Sequence, residues 1–191
     1  MDQPRPWTLL RQRSGHDYRI FRTRTLEVAD PRVAPGAAGP GDPARPGAYV
    51  RTVIDAPDWV NVVPVTSSGQ VVLVRQFRFG TWANSLEIPG GMLDPGEGPA
   101  EAAARELEEE TGYRAGRVLA LGSSHPNPAL FSNRLHSFLA LDCEQVHQGR
   151  PEAAEDLEVV LLGRDELRRA VLAGEVTHAL VRAALLYESW R

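Results

Sequence analysis

The sequence predicts an α+β protein, with a mixed β-sheet between helices and a small N-terminal β subdomain ahead of it. Three observations lead there. Runs of strand length, dense in Val, Ile and aromatic residues, recur through the chain. One Gly/Pro-rich loop opens into a helix that is apolar on one side and acidic on another. Two further helical segments follow the last strand, so a sheet with helices on both sides buries every apolar face.

Taken in order, Asp17–Ala29 alternates Tyr18, Ile20, Arg22 and Arg24 with Phe21, Thr23 and Thr25, and reads as a strand paired with Ala48–Ala56. Residues 30–47 between them are rich in Pro, Ala and Gly, offer little to bury, and read as a loop. Residues 1–56 are therefore expected to form the β subdomain and residues 57–191 the main domain. Trp59–Val65 and Val71–Phe79 read as a hairpin, with Gly69 in its turn. Leu86 and Ile88 mark a short strand. The helix after the Gly90–Gly98 loop starts at Pro99, where a missing N–H is harmless, and stops at Gly112. Arg117–Ser124 and Leu135–Leu141 are strands joined by the Pro/Asn loop His125–Arg134, and Leu157–Leu162 is the last strand. A helix over Asp165–Ala173 stops at Gly174, and Thr177 is the expected N-cap of a helix running to about Trp190.

Composition removes several function classes. A formal charge of -4 with no basic stripe argues against binding nucleic acid. The single cysteine, Cys143, excludes an internal disulfide and a thiolate zinc cage, and reads as a small buried hydrophobe. All 21 basic side chains are arginine, which rules out Schiff-base chemistry and a phosphate-loop lysine. Any cationic grip on phosphate must come from an arginine fork. No apolar run approaches bilayer length and the first residues lack a signal-peptide core, so the expectation is a soluble cytoplasmic protein without a membrane role.

On a helix over 99–111, Glu106, Glu109 and Glu110 fall in one sector. Like charges at that spacing cost about 0.2–0.5 kcal/mol per pair, so the helix gains from a cation among them. All-oxygen, highly charged ligands suit Mg²⁺, with Mn²⁺ a possible substitute. His125, His136 and His178 lack paired ligand spacing and read as structural.

Gly91, Glu97, Arg105-Glu106-Leu107, Glu109-Glu110 and Gly112 occupy eight fixed places between residues 91 and 113, and this pattern resembles the Nudix box. It departs only in its last place, where Tyr113 stands for a bulky aliphatic residue. The resemblance covers roughly Pro57–Trp190 and implies an α/β/α sandwich hydrolysing a diphosphate with Mg²⁺. It implies that Glu106, Glu109, Glu110 and the Gly90 carbonyl hold metal, that Arg105 orients Glu109, and that Glu97 braces the loop. Arg75-Gln76-Phe77-Arg78 and Leu86-Glu87-Ile88-Pro89 resemble the stretches preceding the box in pyrophosphatases of ADP-ribose and related nucleoside diphosphate sugars. That subgroup implies Arg78 on the diphosphate, Glu87 beside it and a proline near Pro128. Asn133 stands where many members have an acid, and an amide cannot act as base. The Pro126-Asn127-Pro128-Ala129 form resembles a branch with broader sugar range. Glu155, with Glu152 in reserve, stands where relatives place a base or metal-facing glutamate. Trp59, Trp82 and Tyr49 are candidates to stack on a nucleobase. The subgroup further implies a homodimer exchanging N-terminal strands. Two alternatives stay open: a Nudix enzyme acting on nucleoside triphosphates or dinucleoside polyphosphates, and a module that senses ADP-ribose without cleaving it.

Overall fold

The computed structural model describes residues 5–33, 48–150 and 156–190. The chain divides into two compact units, Met1–Pro57 with Asn127–Asn133, and Asp58–Pro126 with Arg134–Arg191.

In the first unit, β1 (Thr8–Asp17), β2 (Arg22–Ala29) and β3 (Ala48–Asp55) form an antiparallel sheet in that order. The expected pairing of the second and third segments is present, running from Arg22 opposite Asp55 to Ala29 opposite Ala48. The single strand expected over Asp17–Ala29 is corrected. The chain turns at Tyr18–Phe21, where Tyr18 N–H donates to the Phe21 carbonyl at 2.9 Å and Arg19 takes φ 72°. A separate strand precedes the turn. Every residue of β1 is exposed, so no alternation of apolar and polar residues announces it. Residues 127–133 join this unit through Ile54 N–H to the Leu130 carbonyl at 2.8 Å and Ser132 N–H to the Ile54 carbonyl at 3.0 Å.

The second unit contains β4 (Trp59–Thr66), β5 (Val71–Arg78), β6 (Ala83–Glu87), α1 (Pro99–Thr111), β7 (Tyr113–Arg114), β8 (Arg117–Ser124), β9 (Leu135–Gln145), β10 (Leu157–Leu162), α2 (Arg164–Ala173) and α3 (Ala179–Ser189). Its sheet runs β10-β5-β4-β9-β7, with β6 on β5 and β8 on β9. The β4/β9 pair is parallel and the others are antiparallel, so the sheet is mixed as expected. Alternate residues of β4 serve opposite cores. Val60 and Val62 pack with Ala102, Ala103 and Leu107 of α1, while Val63 and Val65 pack with Leu167 and Ala170 of α2 and Val181 and Ala184 of α3. Burial on both faces explains why Trp59–Thr66 is a nearly continuous apolar run.

Helix α1 opens and closes where expected. Pro99 is at its start, Gly98 N–H donates to Glu101 Oε2 at 3.0 Å, and Gly112 takes φ 74° with its N–H on the Glu108 carbonyl at 2.9 Å. Three expectations are adjusted. The N-cap of α3 is His178 rather than Thr177, because His178 Nδ1 accepts from Leu180 N–H at 3.2 Å and the helix begins at Ala179. The strand leading into the box loop covers Ala83–Glu87 and does not include Ile88. β9 extends beyond Leu141 to Gln145 because its end pairs with the two-residue β7, which is too short for a sequence pattern. No helix among the described residues is long and apolar enough to cross a membrane.

Candidate active site

The site is built where the loop after β6 crosses β4 and enters α1. Pro89 and Gly91 carbonyls accept from Val62 and Val60 N–H at 3.0 and 2.9 Å, and Gly91 N–H returns a bond to the Val60 carbonyl at 3.1 Å. The intervening Gly90 N–H points instead to α1 and donates to Glu110 Oε2 at 3.3 Å. Both glycines are imposed by close approach. A Cβ on Gly91 would overlap the Glu106 carboxylate, and one on Gly90 would overlap the Val60 carbonyl and come within 2.9 Å of Asn61 Cα. The loop thus lies between β4 and two carboxylates of the helix.

Those carboxylates differ in setting. Glu110 is buried at 4 % exposure, the Glu106 side chain is 14 % exposed and that of Glu109 is 48 % exposed. Arg105 ties the cluster together. Its Nη1 donates to Glu106 Oε1 at 3.0 Å and Glu109 Oε2 at 2.9 Å, while Nε and Nη2 hold both oxygens of Glu97 at 2.9 and 3.1 Å. Nη2 also donates to the Met92 carbonyl at 3.2 Å, fixing the loop to the helix. The hydrogen bonds from Arg105 keep the Glu97 carboxyl below its ordinary range against the opposing effect of burial. Arg105 therefore reaches further than the Glu109 contact its spacing suggested.

No three His, Cys, Asp or Glu side chains among the described residues form a preassembled metal cage. The donor chemistry nevertheless fits a hard divalent ion. Glu97, Glu106 and Glu109 place three carboxylates around a single guanidinium, Glu110 adds a fourth on the Gly90 N–H, and Glu106 and Glu110 abut the glycine loop.

A pocket of about 880 Å³ opens beside this loop, lined by Gly90, Gly91, Arg78, Glu87, Trp59 and Asn61 among others. Arg78 forms a two-pronged pair with Glu87, Nε to Oε1 at 2.9 Å and Nη2 to Oε2 at 2.7 Å. Glu87 is only 2 % exposed. Burial alone would push its carboxyl up, but hydrogen bonds and charge from Arg78, the nearby His178 and a bond from Ser85 outweigh it and hold the group below its ordinary value. Arg78, Glu87 and Trp59 are thus brought to one cavity with the Gly90–Gly91 loop.

Three other expected site residues belong to the first unit, and two lie outside the described residues. Exposed Pro128 and buried Asn133 belong to the first unit, where Asn133 Nδ2 donates to the Pro57 carbonyl at 3.0 Å. Tyr49, in the same unit, meets Trp7 edge-on at 5.4 Å and carries Arg51 over its ring at 5.0 Å. Glu152 and Glu155 lie outside the described residues. Sequence reasoning passed over Asn61, Ser85 and Phe77, which also line the pocket. The signal for Asn61 was a lone amide inside an otherwise apolar strand.

A model of the NUDIX domain matches residues 57–180. The chain belongs to the Nudix family. It is 34% identical over 139 residues to the ADP-ribose pyrophosphatase of Bacillus subtilis (strain 168), spanning 72% of this chain and 75% of that protein. It is 33% identical over 114 residues to the GDP-mannose pyrophosphatase of Escherichia coli O1:K1 / APEC, spanning 56% of this chain and 59% of that one. A crystal structure of an ADP compounds hydrolase superposes with a TM-score of 0.81 at 22% identity, covering 100% of this chain and 96% of that chain. This last likeness concerns the fold, which is the Nudix α/β/α sandwich. The chain is a Nudix hydrolase.

Proposed function

We propose that this Nudix hydrolase cleaves the diphosphate of a nucleoside diphosphate sugar, in the class of ADP-ribose and GDP-mannose, to a nucleoside monophosphate and a sugar phosphate. The observation that carries the reading is one cavity shared by the Arg78–Glu87 pair and the glycine loop against which Glu106 and Glu110 lie. The similarity to pyrophosphatases of ADP-ribose and GDP-mannose supports it.

Glu106, Glu109, Glu110 and the Gly90 carbonyl would hold Mg²⁺, with Mn²⁺ as substitute. When bound, the ion neutralises charge on the diphosphate and polarises the phosphorus under attack. Arg105 positions Glu106 and Glu109 from a single nitrogen. Arg78, its fork oriented by Glu87, contacts the diphosphate. Glu155, or Glu152, accepts a proton from the attacking water. The water oxygen bonds to one phosphorus while the bond from that phosphorus to the bridging oxygen breaks, and the bridging oxygen leaves with the other phosphate. Trp59 forms part of the pocket wall, and Pro128 and Asn133 are assigned to substrate binding. Residues 1–56 act as the dimerising β subdomain, exchanging strands in a cytoplasmic homodimer, and residues 57–191 carry the catalysis.

The test is product identification after incubation with ADP-ribose, GDP-mannose, ADP-glucose, UDP-glucose, nucleoside triphosphates and diadenosine compounds with Mg²⁺. Monophosphate release from the sugars, lost in Glu109→Gln and Glu110→Gln at unchanged circular dichroism, is the expected result. Preferred turnover of triphosphates or dinucleoside polyphosphates would replace the substrate assignment. Binding of ADP-ribose without cleavage would refute the enzymatic reading of this site.

A further inference from the structure

The hairpin joining β5 to β6 carries three aromatic side chains, of which the sequence singled out only Trp82, as one of three candidates to stack on a base. Phe77 is 41% exposed, Phe79 78% and Trp82 76%. They touch largely edge to face, Phe77 to Phe79 at 5.5 Å and 79° and Phe77 to Trp82 at 5.4 Å and 80°, while Phe79 and Trp82 sit tilted at 6.3 Å. These contacts steady the rings, and at their exposures Phe79 and Trp82 keep ring surface open to solvent. Trp82 has φ 54°, a conformation that bulky residues seldom adopt, so the turn keeps this indole outward at some conformational cost. Isolated exposed hydrophobics are ordinary, but a contiguous group beside a cavity marks an interaction site.

The position of this group says what it meets. Phe77 and Phe79 line the same cavity as Arg78, Glu87 and the Gly90–Gly91 loop. Ala83 pairs with Arg78, and Glu87 lies four steps further along β6, about 13 Å at ~3.3 Å per residue. Arg78 spans that stretch by reaching back to Glu87. The hairpin therefore presents, in order, open ring faces, a guanidinium and the loop beside the box carboxylates. A nucleoside diphosphate offers a flat base, a phosphate and the phosphate to be cleaved in the same order.

We propose that Phe79 and Trp82, supported edge-on by Phe77, are the platform on which the substrate's nucleobase stacks. The proposal rests on the nucleoside diphosphate sugar reading of this pocket and adds the element that binds its base. Stacking uses the π-face common to all bases, so the platform supplies affinity with little choice among adenine, guanine and uracil.

Steady-state kinetics of the full chain test this on ADP-, GDP- and UDP-sugars and on phosphoribosyl pyrophosphate, which has a diphosphate and a sugar but no base. In Phe79→Ala/Trp82→Ala, KM rises by about five- to 150-fold on each base-bearing substrate. With the base-free substrate, KM moves by less than about twofold, and kcat changes little throughout. Trp82→Phe with Phe79→Tyr restores KM. ADP titration quenches the tryptophan fluorescence of the wild type, and Trp82→Ala removes that quench. Unchanged KM on base-bearing substrates, or an unchanged quench, overturns the platform. So does an equal rise in KM on the base-free substrate accompanied by a loss of oligomer mass in light scattering, which would make the ledge a contact between copies. Failure of the substrate reading looks different: the wild type would turn over no nucleoside diphosphate sugar, while loss of the ADP quench in Trp82→Ala would still support the platform.

Discussion

Replacing Gly91 and Gly90 by alanine separates the metal site from the fold. An alanine Cβ at 91 would lie 2.7 Å from Glu106 Cδ and closer still to one of its oxygens. Ordinary contact begins near 3.4 Å, so the carboxylate must retreat by at least about 0.7 Å (3.4 minus 2.7). The end of a glutamate can do this at little cost, but Mg²⁺ sites tolerate ligand distances only within about 0.2 Å. At residue 90 the Cβ meets main chain, the Val60 carbonyl and Asn61 Cα, and β4 itself must shift. That overpacking costs about 1–3 kcal/mol. For a chain of this size it lowers Tm by about 2–12 °C. Gly91→Ala should therefore melt within about 2 °C of wild type while binding divalent metal at least about tenfold more weakly. Gly90→Ala should melt clearly lower. Calorimetric Mn²⁺ titration and thermal melts of both variants check this. Wild-type Mn²⁺ affinity in Gly91→Ala, or a melting loss equal to that of Gly90→Ala, would refute the argument that this backbone is packed against a metal-holding carboxylate.

Arg78→Ala should weaken substrate binding and also destabilise the protein, because it leaves the Glu87 carboxylate buried without its guanidinium. The cost is about 1–3 kcal/mol and falls toward the lower end, since the Arg78 side chain is 42% exposed and solvent screens the pair. The same variant has a pH signature. Glu87 is held below its ordinary value, so its pairing stabilises the fold fully above that value, near 4.5, and the contribution disappears as pH falls through the lowered one. Without Arg78 the opposing effect of burial dominates, and the acid limb of a Tm-against-pH curve should move to higher pH. An unmoved acid limb would mean the pair does not govern Glu87. Thr111→Val tests the end of α1. Fully buried Thr111 donates from Oγ1 to the Leu107 carbonyl at 2.5 Å and accepts from Tyr113 N–H at 3.1 Å, so the isosteric change strands a buried N–H. A loss of about 1–3 kcal/mol, read as a Tm drop of about 2–12 °C, is expected.

What could be read in advance follows from how each feature is encoded. The central strands β4, β5 and β9 of the second unit are buried on both faces and so carry apolar runs visible without any partner. Helix α1 carries its own punctuation in Pro99 and Gly112. By contrast β1, with all ten residues exposed, has no burial to impose a pattern, and β7 exists only because the end of β9 passes beside it. Local encoding is legible; features made by a neighbour are not.

The site divides the same way. The spacing of Glu106, Glu109 and Glu110 is a property of one helix and was open to inference, as was the i,i+4 reach of Arg105 to Glu109. The attachment of Arg105 to Glu97 and the Met92 carbonyl depends on how the loop folds back, and only geometry shows it. The consequence is functional. An arginine that bridges Glu106 and Glu109 while gripping the loop couples the two carboxylates, so displacing one is felt by the other. A glycine at 91 and an arginine at 105 are therefore two ends of one constraint: the first makes room for Glu106, and the second keeps it there.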